Sequence, residues 1–195
     1  MTDLPSFTAI AETGTPQQIF AALETWVQQD VGAIIFSGSV FDLAASKSRR
    51  IYTNQPAVYP VSGLKDITPN AWTAQVLDAR KTFVANTLEE IATVFPDHPI
   101  IRSLGCGSVV NMPVFLAGKF LGTLNILHQP GHYTPERVAR LHALRVPTTL
   151  AFAAFAVLPA FPTVCQPSSV CAVAAGVRTL APSRPLHPRP HWMHA

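Results

Sequence analysis

The most constraining feature of this sequence is a pair of apolar runs, SVVNMPVFL (108–116) and KFLGTLNILH (119–128), separated only by Ala117 and Gly118. Runs rich in β-branched and aromatic residues are typical of strands. A two-residue connection that contains glycine is typical of a tight hairpin turn, because glycine accepts a positive φ. Pro113 has no amide hydrogen, so we expect it at an edge or a bulge. The stretch therefore predicts a long antiparallel hairpin.

Each strand of this hairpin carries one asparagine. If Ala117 and Gly118 form a regular two-residue turn, Asn111 lies opposite Leu124 and Asn125 lies opposite Val110. Because side chains alternate along a strand, the two asparagines are then predicted on opposite faces of the sheet. A buried amide without partners costs about 1–3 kcal/mol, so we expect backbone, water or a ligand to satisfy each one.

Local signals place helices on both sides of the hairpin. Thr15, Thr87 and Thr134 each stand one residue before a helical pattern and are predicted N-caps. The β-branched and aromatic runs predicted as further strands are 32–42, 51–54 and 82–86. Residues 55–81 are expected to form an irregular connection with helical spacing near its end.

This order of elements predicts an α+β fold with a central antiparallel sheet. Strands joined by turns pair antiparallel, and the two terminal helices are expected to pack together on one face. The 55–107 connection must then cross the opposite face. A sheet covered by helices on one side and by loops on the other leaves a cavity under the loops.

Charge and composition divide the chain into three parts: an N-terminal extension (1–14), the predicted domain (15–157) and a Pro/Arg/His-rich tail (158–195), which we expect to be disordered. Residues 137–195 contain six arginines and no acidic residue, whereas the first 136 residues contain eight basic and eleven acidic residues. Six arginines so widely spaced are too sparse for a nucleic-acid surface, so no nucleic-acid partner is predicted.

Membrane insertion and secretion are not expected either. The apolar run 146–161 is sixteen residues long and contains two prolines, which is too short and too broken for a membrane span. It is interpreted as a buried or dimer-forming helical extension. The first residues contain an acid and no apolar block of the kind found in signal peptides, so a cytoplasmic location is predicted.

The hairpin SVVNMPVFLAGKFLGTLNIL resembles the late hairpin of GAF domains, and GHYTPERV is similar to the family's entry into its last helix. The resemblance covers about residues 15–157. It implies a sheet of about six strands that binds cyclic nucleotides, bilins, haem or small metabolites between the sheet and the loops. Many members bind no known ligand and dimerise instead. The sequence lacks the Asn-Lys-x-x-Phe-Asp-like signature of cyclic-nucleotide-binding members, so the cofactor stays unassigned.

The candidate ligand-binding residues are aromatic side chains from the strands and the connection, together with three polar or sulfur-containing residues of the late hairpin region. They are Phe36, Tyr52, Tyr59, Trp72, Phe95, Cys106, Asn111 and Asn125. Packing is the alternative role for the aromatic residues, since rings near a cavity often serve only the core.

Cys106 carries an alternative, catalytic interpretation. It stands between two glycines before a strand, where we expect flexibility and partial exposure. The preceding segment is similar to one in the free methionine-sulfoxide reductases, which are GAF proteins, and Phe95, Pro96 and His98 fit that pattern. The cysteine that the pattern places shortly afterwards is missing. A thiol reaction that ends in a disulfide needs such a partner.

No metal site is predicted, because no spacing of the histidines and cysteines matches a zinc pattern. The residues considered were His128, His132 and His142 near the last helix, and Cys165, Cys171, His187, His191 and His194 in the tail.

The sequence as a whole therefore predicts a non-catalytic sensory module. It would bind an unidentified small molecule, form a homodimer through its terminal helices and signal through a partner. Two alternatives stay open. One is a thiol-dependent oxidoreductase that uses Cys106, and the other is an interaction protein whose own side chains fill the cavity.

Overall fold

The computed structural model describes residues 2–61 and 63–156, and these residues form an α+β fold around one antiparallel sheet of six strands. The strands are β1 (Ile35–Asp42), β2 (Lys47–Thr53), β3 (Lys65–Asp66), β4 (Phe83–Ala85), β5 (Ser108–Leu116) and β6 (Lys119–His128). Their order across the sheet is β3-β2-β1-β6-β5-β4, and every neighbouring pair is antiparallel. The predicted fold class is confirmed.

Helices lie at both ends of the described chain and within the 55–107 connection. They are α1 (Leu4–Thr13), α2 (Pro16–Asp30), α3 (Ala71–Thr73), α4 (Leu88–Ala92), α5 (His98–Ser103), α6 (Pro135–Ala143) and α7 (Arg145–Ala156). The three predicted caps are confirmed. Thr15 and Thr87 form capping boxes with Gln18 and Glu90, and the Thr134 hydroxyl accepts a hydrogen bond from the backbone N–H of Arg137.

One face of the sheet, here called the helix side, is covered by α2 and α7, which also contact each other. Phe20 of α2 is fully buried there against Phe152 and Phe155 of α7, with ring centroids 5.1 and 5.2 Å away. Helix α7 begins after a break at Leu144, and Pro147 lies in its first turn, where the missing amide costs little. The expected pairing of the terminal helices is confirmed.

The N-terminal segment, described from sequence only as an extension, forms α1 and adds to this core. Asp3 caps the helix by accepting a hydrogen bond from the backbone N–H of Ser6, and a proline occupies the first turn. Phe7 is buried and its ring lies 5.8 Å from that of Trp26. The helix was missed because it contributes one anchoring side chain rather than an apolar stripe.

The opposite face, here called the loop side, is covered by parts of the 55–107 connection. This connection is more regular than predicted, since it contains β3, α3 with a π-helical turn (Ala74–Asp78), β4, α4 and α5. The strand predicted at 82–86 and the helix capped by Thr87 are confirmed. The expected crossing of the second face is therefore correct.

The hairpin turn was predicted correctly, but its register was not. Ala117 and Gly118 both have positive φ, as the turn requires. A bulge then places Leu121 outside the pairing, so that Phe115 pairs with Phe120 and Val114 with Gly122. The following pairs all shift by one residue. Pro113 lies beyond the last β4 pairing of β5, as expected for an edge position.

The shift puts Asn111 directly opposite Asn125, on the same face of the sheet. The prediction that they lie on opposite faces was wrong because it assumed a regular ladder. The bulge lies at a close contact between strands: a Cβ on Gly122, at φ +153°, would lie 2.1 Å from the carbonyl oxygen of Ser39. Only glycine fits this approach.

Candidate functional site

Side-chain alternation along β1 separates the two faces of the sheet. Phe36 joins the helix-side core, whereas Ser37 and Ser39 line a cavity on the loop side. Tyr52 pairs with Gly38, and therefore also lies on the helix side, where its hydroxyl donates to Glu24 Oε2 at 2.7 Å. The prediction of Phe36 and Tyr52 as cavity walls was wrong. The faces of these strands were not assigned from sequence.

The loop-side cavity has a volume of about 380 Å³, which is within the range of small-molecule sites. Its floor comes from β1, β5 and β6, and its walls come from β2 and the 55–107 connection. Five of the eight predicted site residues line it, namely Tyr59, Trp72, Phe95, Asn111 and Asn125. The cavity expected beneath the connection is therefore present.

A chain of side-chain hydrogen bonds crosses the floor. Trp72 Nε1 donates to Asn111 Oδ1 at 2.9 Å, and Asn111 Nδ2 donates to Asn125 Oδ1 at 2.8 Å. Asn125 Nδ2 donates to Ser39 Oγ at 3.2 Å. The two asparagines thus satisfy each other, and they fix the indole of Trp72 over the sheet. The bulge in β6 makes this contact possible, because it brings them opposite each other.

One polar group of the floor is left unsatisfied. Thr123 is 1% exposed, and its Oγ1 has no hydrogen-bond partner among the described residues. Buried hydroxyls are normally paired, so an unpaired one at a cavity calls for an explanation. This hydroxyl has almost no accessible surface, so it lies just beneath the surface of the cavity floor.

Arg50 brings a positive charge to the cavity wall. Its guanidinium carbon lies 4.7 Å from the centre of the Tyr59 ring, and Nη1 donates to the carbonyl oxygen of Pro60 at 3.5 Å. Nε is buried without a hydrogen-bond partner among the described residues. Burial lowers the pKa of Arg50, and the nearby Tyr59 and Asp97 partly oppose that shift. The pKa of Tyr59 is raised, mainly by burial.

Aromatic rings form another part of the lining. The rings of Phe41 and Phe95 each lie 6.1 Å from that of Trp72, centre to centre. All three side chains line the cavity. The site thus combines an aromatic wall, an amide and hydroxyl floor, and a single arginine.

Cys106 does not line this cavity. It is 2% exposed, packed in a small cluster with Ile101 and Leu127, and burial raises its pKa to about 11. The expected partial exposure was wrong: the flanking glycines permit a turn, but the side chain points into this cluster. A thiol with so high a pKa is almost wholly protonated at neutral pH and is a poor nucleophile. Cys165 and Cys171 lie outside the described residues.

No group of three or more potential metal ligands converges among residues 2–61 and 63–156. The His128 and His132 rings stack 3.5 Å apart, and His142 Nε2 lies 3.0 Å from Thr82 Oγ1. The tail histidines and cysteines considered for metal binding lie outside the described residues. No helix of the described part is long and apolar enough to cross a membrane.

The strand residues of this site that the sequence did not predict include Ser37, Ser39, Phe41, Arg50 and Thr123. Alternation could have found the first two, because IFSGSVF places both serines on one face and Phe36 on the other. The same alternation places Thr123 on the face of Asn125, two residues later in its strand. Arg50 carries no comparable signal, since charged residues are common on exposed strands.

No protein-family model matches this sequence, and no curated protein matches it. Solved structures do. The GAF domain/HD domain protein of Geobacter sulfurreducens is similar with a TM-score of 0.60 at 10% identity, over 75% of this chain and 97% of that one. The chain has the GAF fold.

Two further GAF domains agree. The domain of a phosphoenolpyruvate-protein phosphotransferase from Coxiella burnetii has a TM-score of 0.60 at 14% identity, over 79% of this chain and 92% of that one. The domain of a two-component sensor histidine kinase from Bacillus halodurans has a TM-score of 0.58 at 15% identity, over 71% and 94%. The resemblance drawn from the hairpin is therefore correct at the level of the fold.

Proposed function

We propose that this chain is a sensory GAF module that binds a small molecule in the loop-side cavity and acts through a partner rather than by catalysis. The observation that carries the proposal is the cavity itself. It is large enough for a small ligand, and two of its lining residues, Thr123 and Arg50, each carry a buried polar atom, Oγ1 and Nε, that no described residue satisfies. The similar domains from a sensor histidine kinase and a phosphotransferase come from signalling and regulatory proteins, which supports the same role.

The catalytic alternative is weaker. A Cys106 oxidoreductase needs an accessible thiolate, and this thiol is buried with a raised pKa. The empty-module alternative also has less support, because the described side chains leave a cavity volume of about 380 Å³ unfilled. A cytoplasmic location, without nucleic-acid binding, is part of the proposal.

The test compares the full-length protein with a variant whose cavity is filled. Ser39→Trp introduces an indole from the floor, whereas Ser103→Trp adds the same group at an exposed position of α5, outside the cavity. Each gently purified protein is studied by native mass spectrometry and by thermal shift against a metabolite library. We expect a retained mass or a stabilising compound with the wild type and Ser103→Trp, and neither with Ser39→Trp.

A wild-type protein that retains nothing and responds to no compound would contradict a binding role and favour an interaction module. Responses that persist in Ser39→Trp would place the ligand elsewhere. Ser103→Trp controls for any general effect of an added tryptophan, because it carries the same side chain outside the cavity.

We further propose a homodimer formed through the terminal helices. Val146 is 74% exposed and Leu150, one turn later on α7, is 45% exposed, and α7 contacts α1, where Leu4 and Ile10 are also exposed. Light scattering should give the mass of a dimer, and Val146→Glu should shift it towards the monomer. The control Val58→Glu, at an exposed site in the connection, should leave the dimer intact. A monomeric wild type would contradict this part alone.

A further inference from the structure

We propose that the cavity takes a planar aromatic carboxylate, with Arg50 binding the carboxylate and the wall of Phe41, Trp72 and Phe95 receiving the ring. This inference rests on the proposed binding function and names the class of ligand. It is drawn from the distribution of charge, aromatic surface and unsatisfied hydrogen-bonding groups around the cavity.

The first step is the state of the Arg50 guanidinium. One of its faces is covered by the Tyr59 ring at 4.7 Å, and Nη1 is directed to a carbonyl oxygen. Nε is buried and has no hydrogen-bond acceptor among the described residues. A guanidinium presents pairs of parallel N–H groups that match the two oxygens of a carboxylate. Stacking on Tyr59 holds the plane of the group at the cavity wall.

The second step is the missing counter-charge. Lys47 Nζ forms an ion pair with Asp66, so Asp66 is already neutralised by a residue outside the cavity lining. Asp97 is directed to the Tyr59 hydroxyl, with Oδ2 3.4 Å away, and forms no ion pair with Arg50. Asp97 partly offsets the charge of this half-buried guanidinium from beyond ion-pair distance, and an anionic ligand would offset the rest.

The third step is the magnitude of the charge. The cavity lining carries Arg50 and Lys65 against Asp66 and Asp97, and Lys47 offsets Asp66 from outside. The local excess is therefore about one positive charge. A carboxylate carries one negative charge and matches this excess, whereas a phosphate monoester carries about −1.5 to −2 near neutral pH and exceeds it. The balance favours a carboxylate.

The fourth step is the shape of the uncharged part. The indole of Trp72 is fixed by its hydrogen bond to Asn111, and the rings of Phe41 and Phe95 flank it. Rings held in this way favour a flat partner that stacks or meets them edge to face. A volume of about 380 Å³ accommodates one or two fused rings.

The test uses aromatic acids and their neutral amides as matched pairs. The probes are benzoate, 2-naphthoate and indole-3-acetate, each titrated calorimetrically into the full-length protein beside the corresponding amide. We expect at least one acid to bind about tenfold or more tightly than its amide, as a charge-assisted bidentate contact predicts. The proteins compared are wild type, Arg50→Gln, Arg50→Lys and Arg49→Gln.

Arg50→Gln should weaken acid binding by about tenfold to a hundredfold and leave amide binding unchanged. Arg50→Lys, which retains charge but loses the fork, should be intermediate. Arg49→Gln removes the same charge from the neighbouring residue, which does not line the cavity, and should change acid binding by less than about twofold. Circular dichroism and thermal melting verify the fold of each variant, and Arg50→Lys serves if Arg50→Gln fails to fold.

Several outcomes would overturn the inference. If amides bind as tightly as acids, or if the Arg50 variants bind acids like the wild type, the ligand is not held by this arginine. In both cases small-molecule binding itself, and hence the proposed function, would stand. If no acid binds at all, the inference is wrong, while the retained mass and library tests on Ser39→Trp decide the proposed function independently.

Discussion

The two faces of the sheet are built from the same strands but differ in what covers them. On the helix side Phe20 is fully buried, and its ring lies 5.1 to 5.3 Å from those of Tyr52, Phe152 and Phe155. On the loop side a cavity of about 380 Å³ separates the strands from the connection. One face is close-packed with rings, and the other retains volume and unsatisfied polar atoms.

This difference indicates where stability and binding reside. Close packing by helices gives each buried ring many contacts, so the helix side should dominate the free energy of unfolding. The loop side holds its asparagines and tryptophan through hydrogen bonds, which fix positions but contribute less net stability. Substitutions on the two faces should therefore have separable effects, and the following predictions test that separation.

The largest expected difference comes from the same truncation on each face. Phe20→Ala should reduce the free energy of unfolding by about 3–5 kcal/mol, since it removes a fully buried ring from a packed core. Phe95→Ala on the loop side should cost about 1–2 kcal/mol, because that ring is only half-buried beside the cavity. Urea denaturation followed by circular dichroism measures both. Equal losses would show that the two faces are packed alike.

The next prediction concerns Cys106, which is buried in the cluster with Ile101 and Leu127 next to the cavity. With a pKa of about 11, its thiolate fraction is about a hundredfold below that of an ordinary cysteine, so its reaction with DTNB at pH 8 should be slower by about that factor. The measurement uses a Cys165→Ser/Cys171→Ser background, in which Cys106 is the remaining thiol. Labelling should become fast in 8 M urea. Fast labelling of the folded protein would revive the oxidoreductase alternative.

A smaller effect is expected within the floor of the cavity. Asn125→Leu leaves Asn111 Nδ2 without a hydrogen-bond acceptor, and Asn111→Leu leaves Trp72 Nε1 without a hydrogen-bond acceptor. Each should cost about 1–3 kcal/mol, whereas the double variant should cost less than the sum, because both partners of the central hydrogen bond are gone. Urea denaturation of all four proteins gives the coupling energy.

The control for this cycle combines Asn111→Leu with Thr134→Ala, which removes the cap of α6. That helix cap shares no partner with the floor, so the two effects should add within about 0.3–0.5 kcal/mol. Additivity in the asparagine pair itself would mean that their hydrogen bond does not couple them in solution.

The features that the sequence predicted correctly are those determined by residues close together in the chain. The caps at Thr15, Thr87 and Thr134 and the turn at Ala117 and Gly118 depend on residues within one turn, and all of them are confirmed. The order of elements then implied an antiparallel sheet with one helix-covered face, which the structure also has.

What the sequence did not predict depends on contacts between distant segments. The bulge at Leu121 lies next to Gly122, where β1 approaches closely. The one extra residue of this bulge places Asn111 opposite Asn125. The placement of Phe36 follows from the helix-side core formed with α2 and α7. Arg50 becomes a site residue only because the connection brings Tyr59 against it.

The smallest expected effect is a pH dependence confined to the helix side and its rim. Burial lowers the pKa of His128, His132 and His142 below the ordinary value of 6.5. His132 Nε2 lies 2.9 Å from the carbonyl oxygen of Val31, just after α2, so it ties the end of that helix to the segment before α6. The His128 ring stacks on the His132 ring at 3.5 Å, so a positive charge on one ring disfavours protonation of the other.

Because the folded pKa values lie below the unfolded ones, the unfolded state binds more protons in the window between them. Stability should therefore be constant above about pH 6.5 and fall as the pH decreases below it, down to the folded pKa values. Urea denaturation at pH 5.5, 6.5 and 7.5 measures this slope, and His128→Gln/His132→Gln should flatten it. A stability that rises on acidification would contradict the burial of these rings. Such a result would also mean that the contact between His128 and His132 does not titrate as predicted. This titration is what distinguishes the helix side from the cavity, where Arg50 stays charged throughout this range.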